Sequence, residues 1–353
     1  MKYPALLAAD DALTRLDDFD AIIDVRSPSE FALDHIPGAI NCAVLDDIER
    51  ETVGTIYKQQ SPFEARKLGA ALVSKNIARH LEERFSQMPK DWKPLLYCWR
   101  GGNRSGSMAL IFAKIGWPAM QLDGGYKEYR RSIITALEHL PQRFRFRAIC
   151  GTTGSGKSRL LNYLAQAGAQ VLDLEQLAAH RGSVLGGLPT SPQPTQKMFE
   201  TRLWYALRSL SPDRVIYVES ESKKIGDLRV PDALIHQMRT SSCVRIHIST
   251  RDRVKLLIEE YPHLVEDSNL LATQLSHLLA LHGREKISRW NALAESGHTA
   301  ALVEALLLEH YDPAYVRSIE RNFVGYRDAR VLALEGIAER DFIAAADALM
   351  AEE

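Results

Sequence analysis

The chain has 353 residues, 46% of them hydrophobic and 25% charged, which is ordinary for a globular protein and too long for one core. A formal net charge of -1 excludes a global positive field, so any RNA contact must come from local basic patches. The 4 scattered cysteines, Cys42, Cys98, Cys150 and Cys243, form no CxxC pair, which argues against a zinc site or a disulfide framework.

In chain order, Ala21 to Val25 reads as a short buried strand, followed by a helical turn over Pro28 to Leu33 with proline near its start. Ala65 to Phe85 predicts a long amphipathic helix. Pro94 to Tyr97 is a second buried strand that runs straight into Cys98. Arg104 to Ile115 reads as a helix, Met120 to Leu122 as a strand and Tyr126 to Leu140 as a helix. This alternation implies a parallel sheet covered on both faces. Pro141 to Arg143 marks a junction, after which the pattern restarts. Strands are expected over Phe144 to Cys150, Gln170 to Leu174, Arg214 to Val218 and Val244 to Ser249, and mainly helix from Arg251 to the end. Gly182 to Pro194, rich in Gly, Ser and Pro, predicts a lid or binding loop. The expected fold class is α/β, with domains over 1–138 and 144–353 and a helical part closing the second. The N-terminus lacks a secretory core and no run reaches the length of a membrane span, so a cytoplasmic location without membrane contact is expected.

The first chemical site is Tyr97-Cys98-Trp99-Arg100-Gly101-Gly102-Asn103-Arg104-Ser105. A cysteine ends a buried strand, and a loop with two glycines and two arginines leads into a helix. Such a loop can turn its backbone N–H groups inward and, with the helix N-terminus, cradle an anion. Positive surroundings of that kind favour a thiolate nucleophile. Cys98 is therefore the candidate nucleophile, whereas Cys42, Cys150 and Cys243 sit in apolar runs and read as packing residues. Trp99 is placed either on the core or against a base.

Three motifs in order, Asp24-Val25-Arg26 with Glu30-Phe31, His35-Ile36-Pro37-Gly38-Ala39-Ile40, and the Cys98 loop, resemble the rhodanese family over about the first 135 residues. The resemblance implies that Cys98 carries a persulfide or its selenium analogue. One departure is informative. Rhodaneses usually place the loop arginine five positions after the cysteine, whereas Arg104 lies six on. This is the Cys-x5-Arg spacing of phosphatases that share the fold, and it suits a tetrahedral anion such as phosphate or selenophosphate.

The second site is Gly151-Thr152-Thr153-Gly154-Ser155-Gly156-Lys157-Ser158, a match to G-x-x-x-x-G-K-[ST] between a strand and a helix. In such a P-loop the glycines let N–H groups face phosphates, Lys157 neutralises charge and the Ser158 hydroxyl can ligate magnesium. Arg214 to Glu219 resembles a Walker B strand with Glu219 where nucleotide hydrolases usually carry Asp, which argues against ATP hydrolysis. Glu219-Ser220-Glu221-Ser222 then falls at the carboxyl end of that strand, where ligands bind in open α/β sheets. Asp173, Glu175, His180 and Arg181 are supporting candidates, and Ser158 with Glu219 is the candidate magnesium site.

Cys-Trp-Arg-Gly-Gly-x-Arg-Ser followed by Gly-Thr-Thr-Gly-Ser-Gly-Lys-Ser, with His180-Arg181-Gly182-Ser183, Val218-Glu219-Ser220-Glu221-Ser222 and His310-Tyr311-Asp312-Pro313, resembles the tRNA 2-selenouridine synthase family over nearly the whole chain. The resemblance implies a tRNA-modifying transferase. It would convert the wobble 2-thiouridine to 2-selenouridine with selenophosphate, through an S-geranyl intermediate made from geranyl diphosphate. Cys98 would carry selenium as a selenyl-sulfide, with Trp99 to Ser105 as the donor's anion loop. The P-loop would hold the prenyl diphosphate, and no redox cofactor is implied. The rival readings are a Cys-x5-Arg phosphatase, a P-loop kinase or NTPase with a regulatory rhodanese domain, and a degenerate rhodanese used as a binding module.

Overall fold

A computed structural model describes residues 3–182, 187 and 192–352. The chain divides into two compact units, residues 1–136 with 194–205, and residues 137–193 with 206–353.

The first unit follows the order β1 (Ala5–Leu7), α1 (Ala9–Thr14), β2 (Ala21–Asp24), α2 (Pro28–Leu33), β3 (Ala39–Asn41), α3 (Asp47–Gln59), α4 (Pro62–His80), β4 (Pro94–Tyr97), α5 (Asn103–Ile115), β5 (Met120–Leu122) and α6 (Gly125–His139). Its strands pair in parallel in the order β1-β5-β4-β2-β3. All four residues of the central β4 are buried, as a strand covered on both faces requires. The core gathers Ile23, Leu96, Met108, Phe112, Trp92 and Trp117. Local signals explain the helix starts. Ser27 and Glu30 form a capping box ahead of α2, with Pro28 in its first turn. Asp46 and Glu49 form another ahead of α3.

No expectation covered α3, a polar helix with no buried residue and so no apolar face to announce it. The long helix expected over Ala65 to Phe85 begins earlier, at Pro62, and its last turn, Leu81–Phe85, widens into a π-turn.

From residue 145 the chain runs β6 (Arg145–Cys150), α7 (Lys157–Gln166), β7 (Gln170–Leu172), α8 (Leu174–Ala178), α9 (Gln196–Arg208), β8 (Val215–Glu219), β9 (Lys224–Ile225), β10 (Leu228–Arg229), α10 (Asp232–Thr240), β11 (Ser242–His247) and α11 (Thr250–Glu260). Five helices follow: α12 (Pro262–Glu266), α13 (Ser268–Ser276), α14 (Leu279–Glu295), α15 (Thr299–Leu306) and α16 (Asp312–Asn322). The chain closes with β12 (Arg330–Ala333) and α17 (Glu339–Met350). The parallel sheet has the order β12-β11-β6-β8-β7, so β6 and the loop after it lie at its centre. Its core includes Ile149, Leu160, Leu164, Tyr217, Ile246 and Phe342. The helices after α11 build a separate core around Trp290, with Leu275, Leu278, Leu302 and Leu306.

One expectation is corrected here. The strand read over Gln170 to Leu174 stops at Leu172, because the Asp173 side chain accepts from Gln176 N–H and caps α8. The part from Arg251 onward is mainly helical as expected, and it also contributes the short strand β12, which pairs in parallel with β11. Only Leu332 of β12 is buried, so the strand leaves little apolar pattern to read.

Residues 194–205, which lead into and form most of α9, belong with the first unit. There the Thr201 hydroxyl donates to Asp34 at 3.1 Å, Arg130 pairs with Glu200, and the Thr195 hydroxyl donates to the Leu33 carbonyl. Among the described residues, no helix is long and apolar enough to cross a membrane. Most of the glycine- and proline-rich stretch expected to form a lid, including Ser183, lies outside the described residues.

Candidate active site

In the first unit, β4 delivers Cys98 to the carboxyl edge of the sheet and α5 begins five residues later. Cys98 is 3% exposed. The Ser105 hydroxyl donates to its sulfur at 3.2 Å, and Gln121 Nε2 donates to that hydroxyl at 3.0 Å and to the Gly101 carbonyl at 2.5 Å. The loop is gripped from behind by the start of α6, where Tyr126 N–H donates to the Cys98 carbonyl and Lys127 N–H to that of Trp99, at 2.8 and 2.9 Å. The approach is so close that a Cβ on Gly101 would lie 2.6 Å from the Leu122 carbonyl. Gly101 also has φ +63°, where a side chain is strained, so glycine is required twice over.

The arginines around this loop are already engaged. Arg104 and Arg50 both reach Glu30 Oε2, at 3.0 and 3.1 Å. Burial pulls the Glu30 carboxyl up, but these two guanidiniums outweigh it and hold it below the usual carboxylate range. Arg26 is 1% exposed and forms a short pair with Asp24 at 2.6 Å. Arg100, Gly102 and Asn103 lie on the exposed side of the loop and Trp99 is half-buried. A cavity of about 330 Å³ opens beside it, lined by Arg26, Arg50, Trp99, Arg104, Tyr126 and Lys197 among others.

In the second unit, Gly151 to Gly156 joins β6 to α7, which starts at Lys157. Lys157 Nζ donates to the Gly151 carbonyl at 3.0 Å. The Ser158 hydroxyl donates to Glu175 Oε2 at 3.3 Å. Glu175, Glu219 and Glu221 each bring a carboxylate oxygen within 4.8 Å of the other two. Glu219 is 1% exposed, and among the described residues its Oε1 meets no hydrogen-bond partner. Burial pushes the Glu219 carboxyl up to about 7, against the pull of Lys157. Burial, and then the charges of Glu219 and Glu221, push Glu175 up to about 10. Burial also raises Glu221. Three crowded carboxyls beside one lysine hold protons unless a cation joins them. Their oxygens and the Ser158 hydroxyl are the donor set a hard divalent cation prefers, so these residues fit magnesium.

A cavity of about 800 Å³ connects Lys157 and Ser158 with Asp173, Glu175, His180, Arg181, Glu219, Ser220 and Glu221. The sequence candidates of this half thus meet at one site. Among the described residues, the Ser155 hydroxyl, 1% exposed, meets no hydrogen-bond partner, nor does His180 Nδ1. Arg181 donates to the Glu260 carbonyl, and its guanidinium lies 4.7 Å from the centre of the Tyr261 ring.

Sequence reasoning missed the parts that hold the loop in place. Arg253 donates to the Thr153 carbonyl at 2.9 and 2.8 Å and forms a bidentate pair with Asp312 at 2.9 and 2.6 Å. Tyr315 Oη accepts from Gly151 N–H at 2.7 Å and lies 2.9 Å from the Ser220 hydroxyl. Asp312 and Tyr315 both sit at the start of α16, directly after a π-turn over Leu307–Tyr311. The signal was present in His310-Tyr311-Asp312-Pro313, but nothing in the sequence said which loop that motif would meet. Gln121 carried no signal of its own.

Family models match in two places: the rhodanese-like domain over residues 8–132, and the tRNA 2-selenouridine synthase AAA domain over residues 144–282. Curated relatives carry the name tRNA 2-selenouridine synthase. The protein from Nitrosomonas europaea is 36% identical over 68% of this chain, and the match spans 63% of its own length, somewhat under two thirds. That from Hydrogenovibrio crunogenus is 35% identical over 85% of this chain and 91% of its own. That from Aeromonas salmonicida is 31% identical over 95% of this chain and 97% of its own. With a rhodanese-like match followed by a tRNA 2-selenouridine synthase AAA match, and relatives of 31% and 35% identity covered over 95% and 85% of this chain, the chain belongs to the tRNA 2-selenouridine synthase family.

Proposed function

We propose that this protein is a tRNA-modifying transferase that replaces the 2-thio sulfur of a wobble uridine by selenium, taking selenium from selenophosphate. The observation that carries the reading is the pairing, in one chain, of a sulfur nucleophile on a glycine loop with a P-loop flanked by three carboxylates. A phosphatase has no use for the second of these. A kinase or NTPase has none for the first.

In this reading the Cys98 thiolate attacks the phosphorus of selenophosphate, the phosphorus–selenium bond breaks, and selenide leaves toward the uridine. Water then releases phosphate from the Cys98 sulfur. A selenyl-sulfide would instead need a two-electron oxidant. Ser105 and Gln121 orient its sulfur, and the Trp99 to Ser105 loop holds the donor's anion. The P-loop, with Lys157 and Ser158, binds geranyl diphosphate. The thiouridine sulfur attacks the first carbon of the prenyl group, that carbon's bond to oxygen breaks, and diphosphate leaves. Lys157 and the loop N–H groups stabilise the charge that develops on the departing oxygens. Alkylation serves the second step: selenide attacks carbon 2 of the uridine, the bond from that carbon to sulfur breaks, and geranyl thiolate leaves more readily than the unalkylated sulfur would. Magnesium held by Ser158, Glu175, Glu219 and Glu221 would supply electrostatic stabilisation of the diphosphate.

The test is nucleoside mass analysis of tRNA containing 2-thiouridine after incubation with selenophosphate, with and without geranyl diphosphate. Wild type should form selenouridine. Cys98→Ala should stop at the geranylated species, and Lys157→Ala should fail to make that species. Unchanged tRNA under every condition sinks the reading, and aryl phosphate and nucleotide hydrolysis become the next assays.

A further inference from the structure

Trp92, Trp117, Trp204 and Trp290 are each at most 8% exposed, whereas Trp99 is half-buried. Trp99 ends a layered stack. The Arg26 guanidinium lies 3.9 Å from the centre of the Tyr126 ring, and that ring lies 5.3 Å from Trp99 at an angle of 33°. The layers beneath Trp99 are fixed, since Asp24 pairs with Arg26 and the Tyr126 hydroxyl donates to Asp34 at 2.8 Å.

The cavity beside this stack is of the size at which ligand pockets begin, about 300 Å³. Its only carboxylate belongs to Glu30, which Arg50 and Arg104 share. Lys197 adds a third cation to the wall. With Arg26 neutralised by Asp24, the wall keeps two positive charges in excess. A small oxyanion would use the cations and leave the aromatic wall idle. An apolar ligand would use the aromatics and leave the cations unpaired. A nucleotide uses both, because a flat base stacks on indole while the adjoining phosphates meet arginine and lysine. Only an unpaired nucleotide exposes a whole base face.

We propose that this cavity holds one unpaired nucleotide of the RNA substrate, its base stacked on the outer face of Trp99 and its flanking phosphates on Arg50, Arg104 and Lys197. The proposal rests on the tRNA reading above. It places a base next to the residue that follows Cys98, which is where a nucleotide awaiting transfer has to be.

The full-length protein would be titrated with an end-labelled anticodon stem-loop RNA carrying 2-thiouridine in the loop, following both the anisotropy of the label and tryptophan fluorescence. Wild type should bind, with quenching of its fluorescence. Trp99→Phe, which keeps a stacking ring, should bind within about twofold of wild type but without the quench. Trp99→Ala should raise Kd roughly tenfold. Lys197→Ala should lower the slope of log Kd against log salt by about one contact. If the RNA binds by anisotropy while fluorescence stays constant and Trp99→Ala binds like wild type, the nucleotide lies elsewhere and the inference is overturned while the tRNA reading stands. If wild type shows no anisotropy change at all, the tRNA reading itself falls, and this inference with it.

Discussion

The Cys98 loop and the P-loop solve opposite electrostatic problems. Around Cys98, Glu30 is matched by two arginines and Asp24 by Arg26, and the sulfur itself is held by neutral groups. Around Lys157 the acids outnumber the base, and Glu175 and Glu219 keep protons well above the pH at which a free carboxyl loses its own. The first site is complete with the groups the chain supplies. The second leaves carboxyls that keep their protons unless a cation joins them. A site prepared for an anionic donor and a nucleophile has to carry positive charge and a fixed sulfur. A site prepared for a diphosphate with its metal has to carry negative charge that only the metal balances.

The sharpest way to break the comparison is to remove the one atom that defines the first site. Cys98→Ala should lower selenium incorporation by more than about a thousandfold, as loss of a covalent nucleophile does, with the geranylated nucleoside still formed. If geranylation falls equally, the two sites are not separable in function. Lys157→Ala comes next. A loss of about a hundredfold in geranylated product is expected in single-turnover assays, from the missing charge on the leaving group.

A smaller effect is expected from Asp312→Asn, which loosens the Arg253 clamp on the Thr153 carbonyl without touching the ligand. About a tenfold rise in KM for the prenyl diphosphate, with kcat less affected, would mark Asp312 as a positioning residue. An unchanged KM with a lower melting temperature would reduce it to a packing role.

The smallest effect is a pH dependence that should belong to the second unit. Glu219 and Glu175 keep protons up to about 7 and about 10, whereas the unfolded chain releases them near 4.5. The folded state therefore binds more protons across that interval, and stability declines as pH rises through it. With metal chelated, melting should occur at lower temperature near pH 9 than near pH 5. Magnesium should raise it more at the higher pH, where the carboxyls are readily deprotonated for binding. Glu219→Gln should flatten both responses. A melting temperature indifferent to magnesium at either pH would remove the cation from the proposal.

Much of this was legible in the sequence where chemistry and chain run together. The Cys98 loop and Gly151 to Ser158 are each contiguous, so composition and spacing alone predict a strand, a glycine turn and a helix, and the structure has all three. Glu219 was legible because it ends a buried strand, and a buried strand announces itself by its apolar run. The polar α3 and the edge strand β12 were not legible, since neither buries enough apolar surface to leave a periodic pattern.

The two loops, their order and the residue types that act in them follow from the chain's own run of residues, because a loop's capacity to face an anion is set by its own glycines and backbone. Tertiary structure alone decided what those loops meet. It set Arg104 on Glu30, Gln121 behind Ser105, Arg253 and Tyr315 on the P-loop backbone, and Glu175 against Glu219 and Glu221. These partners lie up to 164 residues apart. Such contacts follow from strand order and helix packing, which bring together side chains whose positions along the chain carry no trace of the meeting.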